Sequence, residues 1–136
     1  MRIGGSSATS ASSVDLGSAP FTAARDVGGH RVVFIDDDGA VAHASASTLA
    51  QFERVLGITE SAALAGGLVR VRWAGEMREP SWSGRMRPGP VWLGEDGALT
   101  VAPPRFGFSQ QVGLYVPDAR LIIAIGDPVQ LTFGDP

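Results

Sequence analysis

The sequence contains no cysteine, no lysine and no asparagine. Without cysteine, the chain can form no disulfide bond, no thiolate metal site and no thiol nucleophile. The absence of asparagine also removes the acceptor for N-linked glycosylation. All 11 basic residues are therefore arginine, and they are outnumbered by 14 acidic residues. The net charge of −3 creates no overall positive field, so the sequence predicts a protein that does not bind nucleic acid.

Long apolar runs are also missing. No stretch approaches the roughly 18 apolar residues that a membrane-spanning helix requires, so we expect no membrane insertion. The first seven residues, MRIGGSS, lack the apolar core of a signal peptide. We therefore expect the protein to begin in a cytoplasm.

Glycine and proline are abundant instead, with 18 and 9 copies among 136 residues. This composition favours turns and short strands over long helices. The sequence predicts a mainly β protein, a small antiparallel β-barrel or sandwich-like domain with one short helix. It divides into a flexible N-terminal arm (residues 1–18), a hairpin-plus-helix unit (19–65) and a C-terminal β-barrel-like unit (66–136).

The clearest strand pattern begins at residue 68. Val69, Val71 and Trp73 alternate with Arg70 and Arg72. Because successive side chains of a strand point to opposite faces, this alternation predicts a half-buried strand. Further strands are expected at 91–93, 98–101, 106–116, 120–125 and 129–133.

The N-terminal unit carries the strongest hairpin signal. Strands at 30–35 and 40–43 flank an acidic turn that ends in Gly39, which can adopt positive φ. Ser47 is then expected to cap a helix over 48–56, with Leu49, Phe52 and Leu56 forming its apolar stripe.

Within residues 106–116, apolar residues of one parity predict a buried face. Phe108, Val112, Leu114 and Val116 share that parity, and so does Phe106, but Gln110 interrupts it. Gly113 predicts a β-bulge or a close backbone contact.

Candidate metal and catalytic groups are sparse. The run from Asp36 to Asp38 lacks the alternation and the final glutamate of an EF-hand loop, which favours a solvated turn. His30 and His43 lie on opposite arms of the hairpin and could begin a zinc site, but they lack metal-site spacing, which favours structural or surface roles. No serine lies in a nucleophile elbow. The sequence predicts no catalytic residue, no metal and no cofactor.

Two patterns of carboxylates and aromatic residues admit a second interpretation. Glu76 and Glu79 could form a glycosidase pair, although a solvated loop is the alternative. The three tryptophans, Trp73, Trp82 and Trp92, could stack against sugars, or they could pack in the core or in a subunit interface.

The loop around Trp82 is rich in arginine, with Arg78, Arg85 and Arg87 close by in the sequence. Arginine interleaved with aromatic residues is typical of single-strand nucleic-acid grooves. The negative net charge argues against that use, so intersubunit pairing with carboxylates is favoured. Trp82, Trp92, Arg85 and Arg87 are therefore candidate interface or glycan contacts.

Several short motifs resemble those of small virion proteins of tailed bacteriophages and prophages, of the head-fibre, head-decoration or tail-fibre type. The resemblance spans about residues 14–132 and rests on segments 19–23, 29–33, 74–77, 79–82, 88–94, 97–100, 102–104 and 110–113. The segment from Gly84 to Arg87 departs from it, being longer than the expected step from the aromatic residue to Pro-Gly. The resemblance carries no catalytic residues.

This resemblance implies a non-enzymatic structural protein located on the virion after assembly in the host bacterial cytoplasm. Such modules are typically homotrimeric, and their partners are other virion proteins such as major capsid or tail proteins. We expect a capsid decoration or head-fibre component mounted through the N-terminal arm, with Val14 and Leu16 as anchors. The alternative is a tail-fibre or carbohydrate-binding adhesion module that contacts a host surface glycan.

Overall fold

The computed structural model describes residues 16–131. Its first sheet is antiparallel and has five strands in the order β1-β5-β4-β2-β3. These strands are β1 (Ser18–Thr22), β2 (Val32–Ile35), β3 (Val41–His43), β4 (Val55–Thr59) and β5 (Leu68–Arg72).

The rest of the described chain forms a second antiparallel sheet and a two-stranded ribbon. Their strands are β6 (Ala74–Arg78), β7 (Gly89–Leu93), β8 (Leu99–Thr100), β9 (Phe108–Ser109), β10 (Gln111–Val116), β11 (Arg120–Ala124) and β12 (Val129–Gln130). The sheet has the order β6-β11-β10-β7-β8, and β9 pairs with β12 in the ribbon. The predicted mainly β, sandwich-like fold is confirmed, and the described strands form no closed barrel.

The predicted hairpin is confirmed. β2 pairs with β3, Gly39 has a φ of +82°, and Asp36 Oδ1 accepts hydrogen bonds from the backbone N–H groups of Asp38 and Ala40. Asp37 pairs with Arg54 at 2.8 Å on the surface. The acidic run is thus a self-bonded turn.

The helix predicted over 48–56 is wrong. Only a single 3₁₀ turn forms, at Leu49–Gln51, and β4 begins at Val55. Glu53 adopts a φ of +67°, which a right-handed helix cannot accommodate. The β-branched residues that follow favour a strand, where Leu56 packs in the core of the first sheet.

The chain passes from the first sheet to the second between Arg72 and Ala74. β5 pairs with β1 and β4, so the strand that the sequence division placed in the C-terminal unit belongs to the first sheet. A second strand, β6, follows at once within the segment interpreted as a loop.

Two clusters of buried side chains hold the sheets. One cluster lies on one face of the first sheet and includes Val33, Val41, Val69 and Val71. The other joins both sheets, because Val32 and Ile58 of the first sheet share it with a larger set from the second, including Val91, Leu93, Phe108, Val112, Tyr115, Leu121 and Ile123. The two sheets therefore pack face to face as one unit.

A bulge at Val112 and Gly113 resets the parity of β10. The register against β7 shifts between Gln111 and Gly113, as the glycine predicted. A Cβ on Gly113 would lie 2.7 Å from the Ile122 carbonyl oxygen, so the predicted close contact is also present. Beyond the bulge, Tyr115 points into the core while Leu114 is 43% exposed, so the predicted burial of Leu114 is wrong.

The N-terminal boundary also differs from the sequence division. Ser18 is 4% exposed and pairs with Arg72 at the start of β1, so it is part of the sheet. Leu16 is 85% exposed, and Val14 and the rest of the predicted arm lie outside the described residues. Between residues 16 and 131, no helix has the length and apolar character needed to cross a bilayer.

Candidate functional site

A cleft of about 680 Å³ lies between the turn that precedes β2 and the segment that follows β6. It is lined by residues 98–101, which include β8, and by residues between Glu79 and Met86. The turn at Gly29, His30 and Arg31 completes the lining. We call this feature the β8 cleft.

Glu79 is the carboxylate of the β8 cleft. It immediately precedes the 3₁₀ turn Pro80–Trp82, and its Oε2 accepts a 2.9 Å hydrogen bond from the backbone N–H of Ser81. Hydrogen bonds from the Ser81 backbone and hydroxyl, together with the charges of His30 and Arg85, lower the pKa of Glu79. Glu79 therefore favours its ionised form.

His30 and Trp82 line the cleft beside this carboxylate. His30 Nδ1 lies 3.5 Å from Glu79 Oε1, and the imidazole ring centroid lies 5.3 Å from that of Trp82. The backbone of His30 is left-handed, with a φ of +57°, which is uncommon for a residue other than glycine. Because Trp82 is only 7% exposed, it is a supporting core residue that offers little free ring surface.

Three arginines lie in or next to the cleft. Arg31 donates a 2.8 Å hydrogen bond to the Asp96 carbonyl, and Arg87 makes a long 3.5 Å contact with the Val101 carbonyl. Arg85 is exposed and has no ion pair within 4 Å among residues 16–131. Arg31 and Arg85 are thus the arginines among the residues that line the cleft, and its carboxylate, Glu79, already has hydrogen-bond partners.

A second polar cluster surrounds His43. Its Nε2 accepts a 3.0 Å hydrogen bond from the Gly28 N–H, which leaves Nδ1 as the donor to Asp96 Oδ1 at 2.9 Å. The backbone N–H of Asp96 also donates a 2.8 Å hydrogen bond to Ser45 Oγ. Since both ring nitrogens are engaged, this histidine joins the two sheets and is not open for ligand binding.

The two histidines named from the sequence lie in separate places. His30 lines the β8 cleft, whereas His43 lines a second cavity of about 310 Å³ with Asp96. The described part of the chain contains no group of three metal-ligating side chains.

The other residue pairs named from the sequence are also separated. Glu76 lies on β6 and approaches Arg120 at 3.7 Å, and it does not line the cleft that holds Glu79. Trp92 is half-buried on β7 and likewise lies outside that cleft. The interpretation of 76–79 as a loop is wrong for Glu76, which pairs with Ile122 in the second sheet.

Sequence reasoning missed the grouping of His30 with Glu79. No local pattern signals it, because 49 positions separate the two residues and sheet packing alone brings them together. The Glu-Pro-Ser sequence at 79–81 indicates only the start of a helical turn, where a side-chain oxygen followed by proline is typical.

No family model matches this chain, and no curated protein matches it.

Proposed function

We propose that this chain is a non-enzymatic structural protein of a bacteriophage virion that assembles as a homotrimer on the capsid, as a decoration or head-fibre component. The phage assignment and the trimer come from the resemblance of its short sequence motifs. What supports an assembly role in the structure is one surface of the second sheet.

That surface carries an apolar row across three strands. Pro90, Leu114 and Ile122 are register partners on β7, β10 and β11, Glu76 on β6 pairs with Ile122, and all four residues are exposed. Leu114 is 43% exposed and Ile122 is 36% exposed, although both lie in the middle of the sheet. We call this row the outer row.

The outer row exists because of the bulge in β10. Without the extra residue at Val112 and Gly113, Leu114 would point inward, as its parity with Phe108 predicts. The bulge instead places Tyr115 in the core and Leu114 outside. Contiguous exposed apolar side chains mark surfaces that bind other proteins.

Charges of both signs border the outer row. Glu76 lies at its β6 end, and Arg78 and Arg120 form the neighbouring cross-strand pair. Arg120 reaches Glu76 only at 3.7 Å, on an exposed surface. A second copy of the chain could therefore form ion pairs with both the glutamate and the arginines while it covers Leu114 and Ile122. This arrangement supports self-association.

Light scattering on the purified chain tests this proposal. The homotrimer predicts a mass of about three times the 14.1 kDa chain at micromolar concentration. Leu114→Asp should shift that mass toward the monomer, because an unpaired charge would be buried in the interface.

Leu68→Asp is the matched control. Leu68 is 72% exposed at the start of β5, in the other sheet, and it should tolerate aspartate without a change in mass. A monomeric wild-type protein whose mass is independent of dilution would refute the assembly proposal. Equal dissociation by both variants would refute the role of the outer row.

A further inference from the structure

The β8 cleft contains an open strand edge. β8 is the last strand of the second sheet and pairs only with β7 in the described chain. The Gly94 N–H donates to the Ala98 carbonyl at 2.8 Å, which shows which residue pairs of β7 and β8 are hydrogen-bonded. In an antiparallel ladder, bonded and non-bonded pairs alternate, so the next pair, Leu93 and Leu99, is non-bonded. The N–H and C=O of Leu99 therefore point away from β7.

Leu99 is also one of the residues that line the β8 cleft. The lining consists of residues 98–101, the segment that carries Ser81, Arg85 and Met86, and the turn that precedes β2. β8 itself is two residues long and extends about 7 Å, so the Leu99 backbone can pair with one residue of an extended segment. The chain therefore has a cleft beside a short free strand edge.

The side chains of the cleft define what such a segment would carry. Glu79 is held by Ser81 and His30. Arg85 acts on Glu79 through its charge, but no carboxylate lies within 4 Å of Arg85 among the described residues. A guanidinium group binds a carboxylate through paired, charge-assisted hydrogen bonds. Met86 is half-buried against the shared core and provides an apolar surface in the cleft.

We propose that the β8 cleft binds an extended peptide segment of a partner protein by strand addition to the free edge of β8. The Leu99 backbone pairs with the backbone of the segment. An acidic side chain of the segment binds Arg85, and an apolar side chain two residues away contacts Met86, since residues i and i+2 share one face of a strand. This binding does not depend on the proposed virion role.

Amide NMR of the full ¹⁵N-labelled chain tests the proposal. The probe is the hexapeptide acetyl-Thr-Ile-Thr-Glu-Thr-Ser-amide, which carries its apolar and acidic side chains two residues apart. We expect saturable shifts of the Leu99 and Val101 amides, and no binding of the same peptide after N-methylation of its backbone. If neither amide shifts at millimolar peptide, or if the N-methylated peptide binds equally, strand addition is refuted.

Charge reversal tests the role of Arg85. Arg85→Glu should weaken binding of the glutamate peptide about tenfold, which corresponds to about 1.4 kcal/mol. The same variant should bind the peptide with lysine in place of glutamate better than the wild-type chain does. Arg105→Glu is the matched control, because Arg105 is an exposed arginine outside the cleft, and it should leave both affinities unchanged. Equal weakening by both variants would refute the acidic contact.

Two further outcomes would assign the cleft to another occupant and overturn the proposal. An oligogalacturonate that shifts the same amides with equal affinity would show recognition of acidic sugars and not of a peptide backbone. Slow exchange of the Leu99 amide without peptide would show that the edge is already covered. If that protection depended on protein concentration, a second copy of the chain would be what covers the edge. If the protection did not depend on concentration, a segment of the same chain would cover it.

Discussion

His43 connects two turns that are far apart in the sequence. Its imidazole accepts from Gly28 and donates to Asp96, and its side chain is only 19% exposed. Asp96 belongs to the turn between β7 and β8, so the contact links the first sheet to the second. A buried or partly buried backbone N–H that loses its acceptor is costly, which makes this histidine a structural residue.

We predict that His43→Ala lowers the free energy of unfolding by about 1–3 kcal/mol, because the Gly28 N–H loses its acceptor. Urea denaturation measures this loss. The control is Asp37→Ala, which removes an exposed ion pair with Arg54 and should cost less than about 1 kcal/mol. Equal losses in the two variants would contradict the structural role of His43.

The carboxyl group of Glu79 gives a pH-dependent contribution to stability. The Ser81 hydrogen bonds and the charges of His30 and Arg85 lower its pKa below the ordinary value of 4.5. A group whose pKa is lower in the folded state stabilises the fold above the unfolded pKa. That contribution disappears as the pH falls through the folded pKa.

Glu79→Gln should therefore be less stable than wild type at pH 6, and the difference should shrink as the pH falls below 4.5. Urea denaturation midpoints of the two proteins, measured at about every half pH unit between pH 2.5 and 6, show whether their stabilities converge. Ser81→Ala keeps the backbone N–H, the largest cause of the lowered pKa, and should retain most of the pH dependence. A difference that stays constant across this range would contradict the account.

At the scale of elements, local sequence patterns predicted some strands correctly. The hairpin closed by Gly39 and the strand around Val69 and Val71 could be predicted because turn residues and apolar alternation in the local sequence indicate them. β6 could not, since Glu76, Met77 and Arg78 show little apolar alternation and owe their strand to pairing with β11.

The candidate site was less predictable than the fold. Leu49, Phe52 and Leu56 satisfy a helical spacing, but Phe52 packs edge-on against Phe108 at 5.7 Å and Leu56 joins a strand. Such tertiary contacts override local propensity.

Trp82 and Arg85 were identified as functional candidates, whereas the free edge of β8 beside them depends on the order of the strands.

Two glycines with the same φ differ in what requires glycine at their positions: the local turn alone or also a tertiary contact. Gly39 and Gly107 both have a φ of +82°. A Cβ on Gly39 meets nothing within 4 Å, whereas one on Gly107 would overlap the carbonyl oxygen of Ala46. Ala46 also accepts the Phe108 N–H, so this contact holds β9 against the connection that follows β3.

Gly39→Ala should cost about 1–2 kcal/mol, the price of the left-handed conformation alone. Gly107→Ala should cost at least about 2 kcal/mol more, because the backbone at Ala46 must move. Thermal or urea denaturation of the two variants measures the difference. Losses that agree within about 0.5 kcal/mol would contradict the close packing at Gly107.

At the scale of the whole molecule, the N-terminal segment is the proposed attachment to the particle. Residues 1–15 lie outside the described structure, but Ser18 pairs with Arg72 and the Gly17 carbonyl accepts the Trp73 N–H at 2.8 Å. The mounting segment must therefore end before residue 17, whereas the sequence division extends the arm to Ser18.

Deleting residues 2–15 should leave the fold and the oligomer intact and should abolish incorporation into particles. Deleting residues 2–18 should also reduce stability, because the sheet loses Ser18 of β1 and the Gly17 carbonyl that accepts the Trp73 N–H. Western blotting of purified particles and urea denaturation of the free proteins separate the two effects. Normal incorporation of the shorter deletion would contradict mounting through this segment.

The central claim is that the protein is part of a virion, and immunogold electron microscopy on intact particles tests it most directly. Particles are purified from cells that express the chain, and they are labelled with an antibody raised against residues 16–131. The account predicts gold at regular positions on the capsid, whereas gold at the tail would transfer the protein to the fibre or adhesion alternative. Unlabelled particles from a lysate that contains the protein would contradict the virion role.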